Sequence, residues 1–263
     1  MTGAITGDIA GSRFEFDNYR AKDFEMFHKK CSFTDDTVMT AAVAKTLLGF
    51  DKVSDIEAFK TELVKNMVEV GRRYPNCGYG GRFIGWLFSD GQKPYKSYGN
   101  GSAMRVSPVA WYADSLEECE ALAKASAEVT HNHPEGIKGA VAAAGAAYIA
   151  RTTHDMNAVK KYAEKFYRID FTIDGIRSTY LFNETCMETV PQALQAFFES
   201  ASFEDAIRTA VSVGGDSDTL AAITGTVAEA YYGMDSETTR MALSYLDEYL
   251  LEIAEEFIAK YVK

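Results

Sequence analysis

Thr34-Asp35-Asp36-Thr37 runs directly into Val38-Met39-Thr40-Ala41-Ala42-Val43-Ala44, and far along the chain Asp216-Ser217-Asp218-Thr219 runs into Leu220-Ala221-Ala222-Ile223-Thr224-Gly225. Each stretch places two carboxylates and neighbouring Thr hydroxyls at the mouth of a helix of small and apolar residues. A helix N-terminus carries unsatisfied N–H groups and a partial positive charge, so a single Asp or Thr there is explained by capping. Taken one at a time, capping is the simpler reading of both. A cap uses one side-chain oxygen, however, and adjacent carboxylates repel unless a cation lies between them. If the fold joins the two mouths, their four carboxylates and two hydroxyls form an all-oxygen site. That donor set suits Mg²⁺, Mn²⁺ or Ca²⁺ better than Zn²⁺, which prefers nitrogen and sulfur.

Outward from these mouths the chain reads as helix after helix. The opening Gly3-Ala4-Ile5-Thr6-Gly7-Asp8-Ile9-Ala10-Gly11-Ser12 brings Gly3, Gly7 and Gly11 to one side, which predicts a helix packed tightly on a neighbour and then a loop through Arg13-Phe14-Glu15-Phe16-Asp17. Helical periodicity spans Thr37 to Phe50 and Ile56 to Tyr74, where Phe59, Leu63, Met67 and Val70 make one core stripe. Between Pro75 and Pro108 glycines crowd together and periodicity fades, apart from a short piece at Ile84 to Phe88. The end of that region, Ser97-Tyr98-Gly99-Asn100-Gly101, leads into a further helix from Val106, and is either an ordinary turn or a phosphate cradle.

Helices follow at Leu116 to Val129 and Gly136 to Arg151, joined by Thr130-His131-Asn132-His133-Pro134-Glu135. No second Cys or His cluster completes a tetrahedral metal site with this pair, and the three letters His-Asn-His are too short to indicate a nuclease. The loop is read as lending one His to a pocket, with His28 and His154 as surface or packing residues. Residues 160 to 185 look least regular. Helix returns from Cys186 to Phe198, bent or begun at Val190-Pro191, then from Glu204 to Val213, and after the second acidic mouth as far as Tyr232-Gly233. An amphipathic helix with Leu250, Ala254, Phe257, Ile258 and Tyr261 on one face closes the chain. No run of alternating strands and no linker interrupts it, so the expectation is one all-α domain over residues 1–263.

Bulk properties bound the function. Of the 263 residues 47% are hydrophobic and 25% charged, enough for one large core. A net charge of -11 opposes a general nucleic-acid or anionic-membrane surface. Cys31, Cys77, Cys119 and Cys186 lack C-x-x-C spacing and read as reduced thiols. With neither a signal region nor an apolar run of about 18 residues, the expected location is the cytoplasm.

Six stretches, in order, resemble the ADP-ribosylglycohydrolase family, which includes ADP-ribosylarginine and ADP-ribosylserine hydrolases and dinitrogenase-reductase-activating glycohydrolases. They are Gly7-Asp8-Ile9-Ala10-Gly11-Ser12 with Glu15-Phe16; Phe33-Thr34-Asp35-Asp36-Thr37; Tyr98-Gly99-Asn100-Gly101-Ser102-Ala103-Met104-Arg105; Thr130-His131-Asn132-His133-Pro134; Thr189-Val190-Pro191-Gln192-Ala193-Leu194; and Gly214-Gly215-Asp216-Ser217-Asp218-Thr219. The resemblance implies an all-helical fold with two Mg²⁺ ions, or Mn²⁺, at the base of a cleft, held by Thr34, Asp35, Asp36, Asp216, Asp218 and Thr219. It implies that Ser97, Tyr98, Gly99, Asn100 and Gly101, with His131, contact ADP-ribose, and that Glu15 stands at the mouth of the metal site.

The reaction so implied is cleavage of the glycosidic bond at the distal ribose of ADP-ribose, with Glu15, Asp35 or Asp36 handling the proton. The substrate is then ADP-ribose linked to a protein side chain or a small metabolite, with a modified nucleic-acid base left open. Two rival readings stand beside it: a family member that binds ADP-ribose or serves structurally without turnover, and a two-metal hydrolase of phosphate esters. The stretches 75–96 and 151–184 match no family motif.

Overall fold

The helical periodicity is realised in a computed structural model that describes residues 1–262. Three helices, α1 (Thr2–Ser12), α2 (Asp35–Leu48) and α3 (Ile56–Arg73), precede three short ones, α4 (Gly81–Leu87), α5 (Gly101–Met104) and α6 (Ser107–Tyr112). Next come α7 (Leu116–Glu128), α8 (Pro134–Thr153), α9 (Met156–Ala163) and α10 (Ile173–Arg177). The last third holds α11 (Cys186–Phe198), α12 (Phe203–Val211), α13 (Ser217–Tyr232), α14 (Ser236–Leu243) and α15 (Glu248–Tyr261). Among the described residues there is no strand, only one isolated antiparallel bridge between Gly99 and Thr185. The all-α class expected from the sequence is the class observed.

Two helices form the axis. α13 is buried on every face from Ser217 through Ala230, and α1 from Thr2 through Gly11. A helix with no polar face belongs at the centre of a core, and these two lie against each other. Their contact depends on the glycine side of α1. A Cβ on Gly7 would come 2.1 Å from the Ala221 carbonyl oxygen, and one on Gly3 would come 2.3 Å from that of Gly225. At the far end a Cβ on Gly11 would come 2.5 Å from Asp218 Cα. The backbones are therefore in direct contact, and the C-terminal end of α1 is brought to the acidic start of α13.

A single cluster of buried apolar side chains runs through these elements, from Ile5 and Ile9 of α1 through Val43 and Leu47 of α2 to Phe257 of α15. Phe59, Leu63, Met67 and Val70, the stripe read from the sequence, are all fully buried in it. Pro191 lies inside α11, which spans the Cys186–Phe198 read from the sequence. The structure departs from the sequence reading in its short helices, since α5 and α14 were not expected. Residues 160 to 185 are also less irregular than expected, since α9 ends and α10 forms within them.

Replacing Gly7 by Ala is expected to force α1 away from α13 and destabilise the chain by at least about 2 kcal/mol, as overpacking of a close contact does. A urea denaturation midpoint for Gly7→Ala equal to that of the parent chain would show that the two backbones are not in the contact described.

Candidate active site

The two acidic mouths meet. Thr219, in the first turn of α13, donates its hydroxyl to Asp36 Oδ2 in the first turn of α2 at 3.1 Å, across 183 residues of chain. They are held together through α1. Asp8, fully buried in that helix, accepts from Thr34 N at 2.9 Å, Thr34 Oγ1 at 2.8 Å, Thr37 N at 3.0 Å and the Thr37 hydroxyl. One carboxylate thus fixes the start of α2, while the glycine side of the same helix fixes α13.

The predicted residues fall around one cleft of about 520 Å³. Its floor holds Glu15, Asp35, Asp36, Asp216, Asp218 and Thr219, and its wall holds Ser97, Tyr98, Gly99, Asn100, Gly101 and His131. Glu15, Asp216 and Asp218 each turn one carboxylate oxygen to within 4.8 Å of the others. Asp35 and Asp36 line the same cleft outside that triad, and Asp36 Oδ1 is buried without a hydrogen-bond partner. Thr34 is the N-cap of α2, accepting from Asp36 N at 3.3 Å. Its hydroxyl proton points to Asp8, and it is not among the residues of the cleft wall.

The floor is negative and has no basic partner. Among the described residues, no Lys or Arg forms an ion pair with Glu15, Asp35, Asp36, Asp216 or Asp218. Burial, followed by the neighbouring carboxylates, holds Asp35, Asp36 and Asp218 well above the ordinary range for Asp. Burial raises Asp216 as well, against the Asn100 amide that donates to its Oδ2 at 2.7 Å. Glu15 is pushed to about 7 by burial and then by Asp216, Asp8 and Glu184. Asp8 is pushed to about 6 by burial even against its hydrogen bonds. Hard oxygen donors, mutual repulsion and an orphaned carboxylate oxygen together fit a divalent cation, which would relieve all three.

The opposite wall is cationic and neutral. Arg105 is buried beside the cleft, bonded only to neutral oxygens, Ser126 O at 2.6 Å and Thr130 Oγ1 at 2.9 Å. Since Thr130 Oγ1 accepts from Arg105, its own proton is free for His131 Nδ1, 2.7 Å away. With the Thr130 hydroxyl proton donated to Nδ1, the proton of a neutral ring lies on Nε2, the atom facing Gly99 and Gly101. Burial, then Arg105 and Arg82, keep the ring neutral by lowering its pKa well below the usual His value. His133 instead caps α8, accepting from Glu135 N at 3.2 Å, so the loop lends the cleft one His as expected.

The sequence profile of the ADP-ribosylglycohydrolase family matches residues 1–263. The chain belongs to that family. Human ADP-ribosylhydrolase ARH3 is 26% identical over 315 residues, covering 89% of this chain and 85% of that one. The ADP-ribosyl-[dinitrogen reductase] glycohydrolase of Rhodospirillum rubrum is 30% identical over 229 residues, covering 79% of this chain and 71% of its own. A solved ADP-ribosylglycohydrolase-related protein complex shares the fold with a TM-score of 0.71 at 23% identity, over 98% of this chain and 94% of that one.

Several residues of this family member's cleft carry roles that the sequence reading did not assign. Asp8 and Arg105 stood inside quoted motifs without a role, and Glu184 had none. The signal for Asp8 was its position, a carboxylate in a helix whose other residues are small or apolar.

Folded Asp8 and Glu15 hold protons up to about 6 and about 7, whereas the free carboxyls release them near 3.8 and 4.5. Across that interval the folded chain binds more protons than the unfolded one, so its stability falls as pH rises. The metal-free protein is therefore expected to melt at progressively lower temperature from about pH 5 to about pH 7, with added Mg²⁺ or Mn²⁺ restoring stability most at the upper end. A metal-free melting temperature that rises across this range would contradict the electrostatics described. In a ¹H–¹⁵N spectrum His131 should stay neutral through this range.

Proposed function

We propose that the protein is a metal-dependent hydrolase that cleaves the glycosidic bond between the distal ribose of ADP-ribose and a protein side chain or small acceptor, releasing ADP-ribose. The observation that carries the reading is the bond from Thr219 to Asp36, because it makes one floor of two acidic clusters that lie far apart in sequence. Held by Thr34, Asp35, Asp36, Asp216, Asp218 and Thr219, two Mg²⁺ or Mn²⁺ ions would supply positive charge for the vicinal ribose hydroxyls and acidify water there.

The protein's own groups divide the remaining work. Glu15, with a pKa near 7, is poised to take a proton from water or return one to the leaving group. Its charge also favours the oxocarbenium character that develops at the anomeric carbon. Ser97 to Gly101 line the wall that adjoins the floor, where the Asn100 amide reaches Asp216. Gly99 N–H is held by Ser97 Oγ and Asn100 N–H by the Glu184 carbonyl, which gives the loop one fixed shape. The His131 Nε2 proton and the Arg105 charge face this wall, where a diphosphate would meet a donor and positive potential. Asn100 joins the two halves, because its amide bonds both Asp216 and Thr189. The four unpaired cysteines suit a reducing cytoplasm.

The test offers the purified protein Arg-linked, Ser-linked and acetyl-linked ADP-ribose with Mg²⁺. Release of intact ADP-ribose that stops in EDTA and returns with Mg²⁺ is the expected result, and the linkage that reacts names the acceptor. Asp36→Ala and Asp216→Ala should each lose at least about 100-fold in kcat/KM, on the scale of a metal ligand's removal. Full activity in either variant would end the proposal. AMP or phosphate as product would point to phosphoester chemistry instead, and binding without cleavage to a protein that only recognises ADP-ribose.

A further inference from the structure

The carboxylate of Glu15 belongs to the triad with Asp216 and Asp218, yet it lies outside any helix, in the turn that follows α1. Asp216 has its own supports, since it stands at the start of α13 and receives the Asn100 amide at 2.7 Å. Asp218 lies within the first turn of α13, in the buried core. What places Glu15 relative to them is its backbone, and that backbone is gripped by the side chain of Asn18.

The Asn18 amide makes four hydrogen bonds to main chain. The two Nδ2 protons are shared among the carbonyls of Phe14 at 2.7 Å, Glu15 at 3.0 Å and Gly215 at 2.9 Å. Its Oδ1 accepts from Gly215 N–H at 2.7 Å. The side chain thus ties Glu15 itself to Gly215, the residue just before Asp216 and 197 positions from Asn18. The partner segment is not free to shift. Gly214 and Gly215 have φ values of +78° and +73°, a left-handed path that glycine adopts without steric cost. Arg20 locks this path from the same loop, donating to Val213 O and Tyr180 O at 2.6 Å each and packing on Gly214 where a Cβ would come 2.8 Å from its Cζ. Only an amide presents a donor and an acceptor in one plane with this reach. Asp could not donate to the three carbonyls, and Ser is too short to span both segments.

We propose that Asn18 is a positioning residue that sets the Glu15 carboxylate against Asp216 and Asp218, and so determines how well this triad closes on a divalent cation. The proposal rests on the reading of the floor as a metal site and adds Glu15 to the six ligands named for it. Supporting hydrogen bonds of this kind are worth about 10- to 100-fold in metal affinity, and the loss should appear in Asn18→Ala.

The test is a double-mutant cycle on Mn²⁺ affinity, measured by titration calorimetry on the parent chain, Asn18→Ala, Glu15→Gln and the double variant, with melting in EDTA to confirm that each is folded. Asn18→Ala is expected to weaken Mn²⁺ binding about 10-fold or more, and to add little further loss once Glu15 is already Gln. Should Asn18→Ala fail to fold, Asn18→Ser takes its place in the same cycle. Parental Mn²⁺ affinity in the Asn18 variant, or a loss that adds in full to that of Glu15→Gln, would overturn the proposal while leaving the metal site standing. Parental affinity in Glu15→Gln would remove Glu15 from the metal site and the proposal with it.

Discussion

The structure depends on one buried carboxylate and the helix that carries it. Asp8 satisfies the backbone and hydroxyl groups of Thr34 and Thr37 together, so the start of α2 is capped from another helix as well as from its own Thr34. One face of α1 does this while its glycine side takes α13 into backbone contact. Because α1 is rigid, the two acidic mouths are placed relative to each other by a single element. Burying an acid among apolar neighbours is costly unless its oxygens are satisfied, and here donors from two residues of α2 satisfy them.

That placement concentrates negative charge. In a chain of net charge -11, some surface carboxylates, among them Glu69, Glu128 and Glu204, find Lys or Arg partners, whereas the cleft floor finds none among the described residues. The buried cation nearest the cleft, Arg105, is spent on neutral oxygens at the opposite wall. Had Arg105 paired with a floor carboxylate, both would be neutralised and the cleft would lose its polarity. Separated as they are, the floor favours a cation and the wall favours an anion. A ligand that presents a sugar at one end and a diphosphate at the other matches that division.

The all-α class was legible because apolar spacing and small-residue density survive without knowledge of contacts. The floor was legible because Asp35-Asp36 and Asp216-Ser217-Asp218 carry more charge than capping requires. The residues that bring them together were harder to read. Asn18 is an ordinary loop residue in sequence, and its partner at Gly215 becomes visible only when residues 197 positions apart are adjacent. Arg105 reads as the end of a glycine loop until its burial is known. The helices α9, α10 and α14 are short, and too few turns accumulate in them for periodicity to stand out. Pro191 argued for a helix start or a bend, and the helix continues through it among the buried residues Thr189 to Phe197.

The rim of the cleft follows different rules from its floor. Phe16, just after Glu15, is 85% exposed and stacks on Phe182, which is 42% exposed, with ring centroids 5.9 Å apart. Leu181 beside them is 77% exposed, and Glu184 opens to solvent next to the loop that holds Asn100. None of these side chains supports the core, so each is free to differ without disturbing Asp8, the glycine contact or the carboxylates below. Segment 178–184 also lies within the part of the chain that matched no family motif. A floor fixed by backbone contact thus lies beneath a rim of side chains that the core does not need, so the two can be altered independently.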